Sequence, residues 1–484
     1  MNGKKLGLGS VIATGVGLVV GSSCLMSLGL GVSAIGLTFV ITMIIACVVN
    51  IFTLMSIAEL NSLMPDLTGG LAQFSLACVG PFVTIICMVG GYALCNSLAG
   101  SVEGAMFGNT FAGMFENMNI PAWIFTVILV LILMVTNLNG VDVFIKVQDF
   151  VAFALIASMV VMGVMGALGI GVGEVVEQPS VLASDFKSVT GLCGLAFFLF
   201  VGGEYVIPLT KETKNAKRNI PLGMVLSMVI ILGMQTFLSI GFRNYTQWGE
   251  LGASTTPHIL FGQMLLGPLG KYWMLIVTLL AAISSVNTIM SSLSYILMGM
   301  SKIGLLPEFF QKTNKKKAPY IGILIEAGVF ILLNVTGLST TDSISYMISV
   351  LAVLWLISYI ISNLNVLLLR RRLPKAPRNF KLPFGPLIPI LGMAGSAYMI
   401  YNIDPDVTVK LSLYKVVAIV VIILAVYAFF WVKFKVKRPL FKPYPVKEVM
   451  AMENELYNEY HRKRKSSKPD ETNPDETDIN IAAE

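Results

Sequence analysis

Residues 15–25 read Gly15-Val-Gly-Leu-Val-Val-Gly21-Ser22-Ser23-Cys24-Leu25, and residues 196–205 read Ala196-Phe-Phe-Leu-Phe-Val-Gly202-Gly203-Glu204-Tyr205. Each stretch lies inside an apolar run long enough to cross a bilayer, where a continuous helix is the ordinary outcome. Glycine costs about 1 kcal/mol relative to alanine in a helix interior, and serine offers the backbone competing hydrogen bonds. A helix broken here frees N–H groups on one side of the gap and C=O groups on the other. Lipid cannot satisfy such groups, so a break is tolerated only where it lines a cavity. The competing reading is close helix packing through small residues, to which Gly15, Gly17 and Gly21 would contribute.

Outward from these stretches the chain stays apolar. Of its 484 residues 55% are hydrophobic and 13% charged, with a mean hydropathy of +0.79. A soluble protein carries about 25% charged residues, so Lys+Arg 34 and Asp+Glu 27 are too few to cover a surface facing water. The pattern predicts an all-α polytopic membrane protein with twelve spans. They fall near 8–33, 36–63, 80–106, 121–138, 146–170, 188–208, 220–243, 269–300, 319–336, 343–369, 384–402 and 411–434. The apolar run after Lys4-Lys5 is too long for a signal peptide and reads as the first of them. With the N-terminus in the cytoplasm, 29 of the 34 Lys and Arg fall inside, and only Lys187, Arg243, Lys271, Lys410 and Lys415 fall outside. The clusters Lys211 to Arg218, Lys302 to Lys317 and Arg370 to Lys381 all land in inner loops, the bias that cell-membrane topology imposes. Both termini are therefore expected in the cytoplasm. Residues 1–436 form one twelve-helix domain, and 437–484 a polar tail with the acidic repeat Pro469-Asp-Glu-Thr and Pro474-Asp-Glu-Thr, expected to be largely disordered.

Several function classes fall away. The net charge of +7 is accounted for by topology, so no nucleic-acid partner is implied. His258 and His461 are the only histidines, and the cysteines at 24, 47, 78, 87, 95 and 193 form no C-x-x-C. Neither a metal cluster, a cofactor nor a disulfide framework is expected. An embedded enzyme is disfavoured: there is no H-E-x-x-H, no histidine within a span and no serine–base pair at motif spacing. A channel would repeat charged or carbonyl rings across subunits, whereas the two interruptions occur once in each half of one chain. Paired breaks at corresponding positions of two inverted halves mark the midplane site of secondary transporters. Their freed N–H groups suit a carboxylate and their C=O groups an ammonium or sodium ion.

The motifs resemble those of the amino acid–polyamine–organocation superfamily of amino acid permeases. Val20-Gly21-Ser22-Ser23-Cys24-Leu25 is similar to its I-G-S-G-I-F signature, departing at Ser23 and Cys24. Residues 57–70 match A-E-L…P…G-G, and Asn137, Gly140, Val141 and Gln148 resemble the start of helix 5. Residues 197–221 are close to F-x-G-x-E…E-x-K-N-P-x-R-x-I-P, with Ala216 in place of the proline. Gly304-Leu-Leu-Pro307 matches the end of helix 8, though Tyr295 stands where many members have arginine. The resemblance implies a leucine-transporter-type 5+5 inverted repeat, with repeat one at about 8–170, repeat two at about 188–369 and peripheral helices at 384–434. It implies an amino acid substrate carried by alternating access, with the carboxylate on Gly21, Ser22 and Ser23. The ammonium group would lie on the carbonyls of Val19, Phe198 and Val201 beside Gly202, with Phe198 as an aromatic lid. Ala281, Ser284 and Ser285, with the carbonyls of Gly17 and Val20, are similar to a sodium site, and Leu155 replaces the helix 5 lysine of many sodium-independent members.

Acids inside spans are costly, at about 2.5–3.5 kcal/mol on conservative scales, and default to function. Glu204 is expected to be a proton-sensitive gate residue and Glu103 an outer vestibule charge or gate. Glu59 is expected to anchor a loop, and Glu326 to face a neighbouring helix. Asn96 is expected either at the substrate side chain or in an interhelical hydrogen bond. With no Lys or Arg in the central part of any span, an acidic substrate side chain has no partner. A neutral amino acid is expected, with sodium coupling, and cationic substrates with proton coupling or exchange are the alternative. Oligomeric state is not readable from the sequence.

Overall fold

The computed structural model describes residues 7–64, 70–114, 120–139, 144–181, 185–338, 341–376, 378 and 380–452. Parts of two quoted motifs, 65–69 and 140–143, lie outside the described residues, as does the tail beyond 452.

The fold is helical, and its first span is broken where the glycine stands. Helix α1 (Leu8–Val19) ends at Val20, Gly21 is extended at φ −96° and ψ 174°, and α2 (Ser22–Ile35) restarts at 66° to the preceding helix. Gly36, at φ 63°, turns the chain into α3 (Phe39–Leu63). Next comes α4 (Leu71–Thr84), kinked at Gly80-Pro81, where φ reaches 80°. It continues through wider π-helical turns at Ile85–Leu94 into α5 (Cys95–Ala112). Helices α6 (Ala122–Leu138) and α7 (Phe144–Ala167) follow.

The second interruption is as clear. The short helix α8 (Phe186–Gly191) leads into α9 (Cys193–Phe198), which stops before Gly202, and a tighter 3-10 segment takes over at Gly203–Glu212. Gly202 has φ 109°, a conformation L side chains rarely adopt. Then come α10 (Ala216–Tyr245), α11 (Trp248–Ala253), α12 (Pro257–Lys302, bent at Gly267), α13 (Tyr320–Val335), α14 (Thr341–Arg372), α15 (Leu387–Tyr401), α16 (Val407–Phe430) and α17 (Val446–Ala451).

Six described helices are long and apolar enough to cross a membrane, or seven if the bent α1–α2 pair is one span. The remaining apolar helices, including α6, α13 and α15, are shorter and stand where further spans are expected. The most apolar window of α4–α5 is 72% buried against 17% for α16, so α5 is central and α16 peripheral. Ile419, Ile422, Ile423 and Val426 of α16 are exposed, as befits a face toward lipid. Within the bundle α1 packs on α7 and α10, and α12 packs on α5 and α7.

Glu59 ties the C-terminal end of α3 to α14 and the loop beyond it. Its carboxylate accepts from Arg370 Nε at 2.8 Å, a second Arg370 nitrogen at 2.5 Å and the Leu382 backbone N–H at 2.8 Å, with Arg378 Nε at 3.3 Å. Removing one partner of a buried ion pair costs about 3–5 kcal/mol because the other charge is stranded. Glu59→Ala and Arg370→Ala should each lower the melting temperature of the purified protein, and the double variant should lose less than the sum of the two. A thermal unfolding series on the three variants checks this; additive losses would mean that the pair is not coupled.

Candidate substrate site

The two interruptions open onto one cavity, lined from α1 by Gly17 and Val19, from the first break by Gly21 and Ser23, and from the second by Phe198, Val201 and Gly202. Asn96, Ala99 and Glu103 of α5 close one side, Ser285, Thr288 and Ile289 of α12 another, and Trp355 of α14 a third. Sequence-distant residues meet here because α1, α5, α9, α12 and α14 each present a face to the same interior space. Among the expected substrate residues only Ser22 is not in the lining, and it turns its donors to Glu103 within the same cluster.

The first break is not left unsatisfied. The Glu103 carboxylate accepts the backbone N–H of Ser22 at 3.0 Å and that of Ser23 at 3.1 Å, and both serine hydroxyls also donate to it. Each carboxylate oxygen thus takes one N–H and one O–H. A carboxylate at the start of a helix is favoured further by the aligned peptide dipoles. Glu103 is 4% exposed, and its four donors hold it in the wall of the cavity, at the first break. The Gly21 N–H bonds the Val19 carbonyl at 3.2 Å rather than Glu103. Gly21 still matters sterically, since a Cβ there would stand 2.4 Å from Glu103 Oε1.

The carbonyls expected to hold an ammonium group also have a local neighbour. The Cys24 thiol lies 3.1 Å from the Val19 carbonyl and 3.7 Å from that of Phe198, so it bridges the two breaks. A thiol is a weak donor. Cys24 was legible only as a departure from a motif; its role needed the second break beside it.

Glu204 follows the second break and is 2% exposed, but it does not line the cavity. Its two oxygens accept from Trp355 Nε1 at 3.1 Å and Tyr359 Oη at 2.7 Å. These two side chains stand one turn apart on α14, and sequence reasoning missed them. Their i, i+4 spacing on an apolar helix was the available signal. Glu326 accepts from Ser97 Oγ of α5 at 3.0 Å, facing a neighbouring helix as expected. Asn96 lines the cavity while donating to the Tyr92 carbonyl of its own helix at 2.6 Å.

Of the five residues expected around sodium, Gly17 and Ser285 meet at the cavity, whereas Val20, Ala281 and Ser284 do not line it. Leu155 is buried at 3% exposure on α7, which packs on both α1 and α12.

Comparison with known proteins agrees with this architecture. The branched-chain amino acid permease BcaP of Bacillus subtilis (strain 168) is 21% identical over 449 residues, covering 86% of this chain and 92% of the relative. The methylthioribose transporter of the same strain is 21% identical over 434 residues, covering 83% and 87%. A crystal structure of the Eremococcus coleocola manganese transporter superposes with a TM-score of 0.55 at 13% identity, covering 88% of this chain and 94% of that one, a likeness of fold. The amino acid permease family matches residues 6–427, nearly the whole described bundle, and the chain belongs to that family of multi-pass membrane proteins.

Proposed function

We propose that this protein is a secondary active permease of the cell membrane that carries a small solute bearing an ammonium group and an uncharged side chain, the neutral amino acid class. One observation carries the reading: the two broken helices face each other across a single cavity inside the bundle. Broken backbone at that depth serves a ligand or a cavity, never lipid. The apolar side chains of Ala99, Ile289, Leu293 and Trp355 suit an uncharged side chain, and no Lys, Arg or His lines the space. In this reading the twelve-helix, 5+5 inverted repeat moves by alternating access, both termini are cytoplasmic and net transport is inward. The names of the relatives, an amino acid permease among them, support the substrate class.

Sodium is the coupling ion in this proposal. Gly17 of α1 and Ser285 of α12 line the same cavity, neutral oxygens suit a monovalent cation, and Leu155 supplies no competing charge. A second reading, proton coupling through Glu204, rests on the burial of this acid, 2% exposed, directly after the second break.

The transport reading is tested with purified protein in liposomes. Saturable uptake with counterflow of unlabelled substrate is expected, and flux without counterflow would indicate a channel. Gly21→Val and Gly202→Val should abolish substrate binding while the protein still inserts and unfolds cooperatively. The first drives a side chain into Glu103, and the second forces an L residue into φ 109°. Retained transport in either variant would remove the site.

Replacing sodium by choline at fixed pH should lower uptake, and Ser285→Ala should lower its apparent sodium affinity. Undiminished uptake in choline, together with loss of pH dependence in Glu204→Gln, would replace sodium by proton coupling.

A further inference from the structure

Of the donors that make the first break a carboxylate seat, those of Ser22 and Ser23 are all engaged by a carboxylate of this chain, and the Gly21 N–H by the Val19 carbonyl. Glu103 takes both backbone N–H groups and both hydroxyls of Ser22 and Ser23. A substrate arriving with its own α-carboxylate must first expel that side chain. The expelled carboxylate would then be buried without partners, and stranding a buried charge costs several kcal/mol. A substrate with no carboxylate meets no such obstacle.

We infer that Glu103 is a specificity-determining residue that supplies the carboxylate itself, so that the transported solute is an amine with an apolar tail and no carboxylate, rather than a zwitterionic amino acid. The inference rests on reading this cavity as the substrate site and replaces the neutral amino acid of that reading by the corresponding amine: ammonium and side chain stay, and the carboxylate belongs to the protein. Charge points the same way. Glu103 is the only ionisable acid or base among the lining residues, apart from the weakly acidic Cys24 and Tyr205. An organic cation neutralises it, whereas a zwitterion leaves the excess negative charge in place. The ammonium end has a seat at the Val19 and Phe198 carbonyls, where it displaces the weak Cys24 thiol contact and shares the Val19 carbonyl with the Gly21 N–H. Ile289, Leu293 and Trp355 offer the tail an apolar wall.

Binding of matched pairs to the purified full-length protein tests this: 3-methylbutylamine against leucine, 2-phenylethylamine against phenylalanine, and ethylamine against alanine. The wild type should prefer the amine of its best pair by about tenfold or more, the scale of one lost charge-assisted hydrogen bond. Glu103→Ala frees the four donors, so amine binding should fall and the parent amino acid should gain by about tenfold or more, its α-carboxylate taking the vacated place. Glu103→Gln keeps the shape and serves if the alanine variant unfolds: it should weaken the amine without admitting the amino acid.

Wild-type binding of an amino acid at least as tightly as its amine would overturn the assignment and leave the permease reading standing. Unchanged amine affinity in Glu103→Gln would overturn it as well. No binding of any pair by wild type or variants, with no counterflow of any amino acid, would overturn both readings.

Discussion

A backbone broken inside a bilayer has to find its hydrogen bonds within the protein, because hydrocarbon offers none. That constraint organises the centre of this molecule. The break between α1 and α2 exposes donors, and a glutamate from α5 meets them. The break after α9 exposes acceptors, and a thiol from α2 reaches one of them. Through these two contacts α1, α2, α5 and α9 are bound into one core, and the cavity is the space left between them. The unwound segments are thus fixed by side chains from other helices rather than by their own turns.

The buried acids show the same logic at different depths. Glu59, at the edge of the bundle, has two arginines and a backbone N–H, so full charge is matched by full charge. Glu103 and Glu204 have neutral donors instead: serines and peptide groups for one, an indole and a phenol for the other. A carboxylate matched by arginine is a fixed strut. One held by neutral donors has no charged partner, and such a group near a cavity is placed to respond to a cation.

Much of the framework was legible in the sequence because it follows from two local rules. Apolar runs of span length predict helices, and Gly21 and Gly202 interrupt two of them where nothing apolar requires it. The structure finds both interruptions, and it finds Val19, Gly21, Ser23, Phe198, Val201 and Gly202 around one space. What the sequence could not show is which distant side chain completes each break. Glu103 is 81 residues from Ser22, and depth along a helix does not reveal which way its carboxylate turns. Trp355 and Tyr359 are not singled out by the sequence, and their role appears only when Glu204 stands beside them. The number of spans is likewise less plain in three dimensions, since α6, α13 and α15 are short.

The contacts that satisfy the breaks differ in strength, and that difference has a consequence for motion. Four charge-assisted donors hold Glu103, so α2 and α5 are coupled firmly. A thiol 3.7 Å from the Phe198 carbonyl couples α2 to α9 only weakly. Glu204, in turn, binds the segment after the second break to α14 through two good hydrogen bonds. Across the cavity the Cys24 contact thus links the first broken span to α9 only weakly, while α5 and α14 pack directly on each other. A ligand whose ammonium group bonds carbonyls on both sides would strengthen that junction, and a conformational equilibrium shifts only by such a difference in binding between states. An ammonium group seated at the Val19 and Phe198 carbonyls would thus transmit its occupancy to the relative position of the two broken spans.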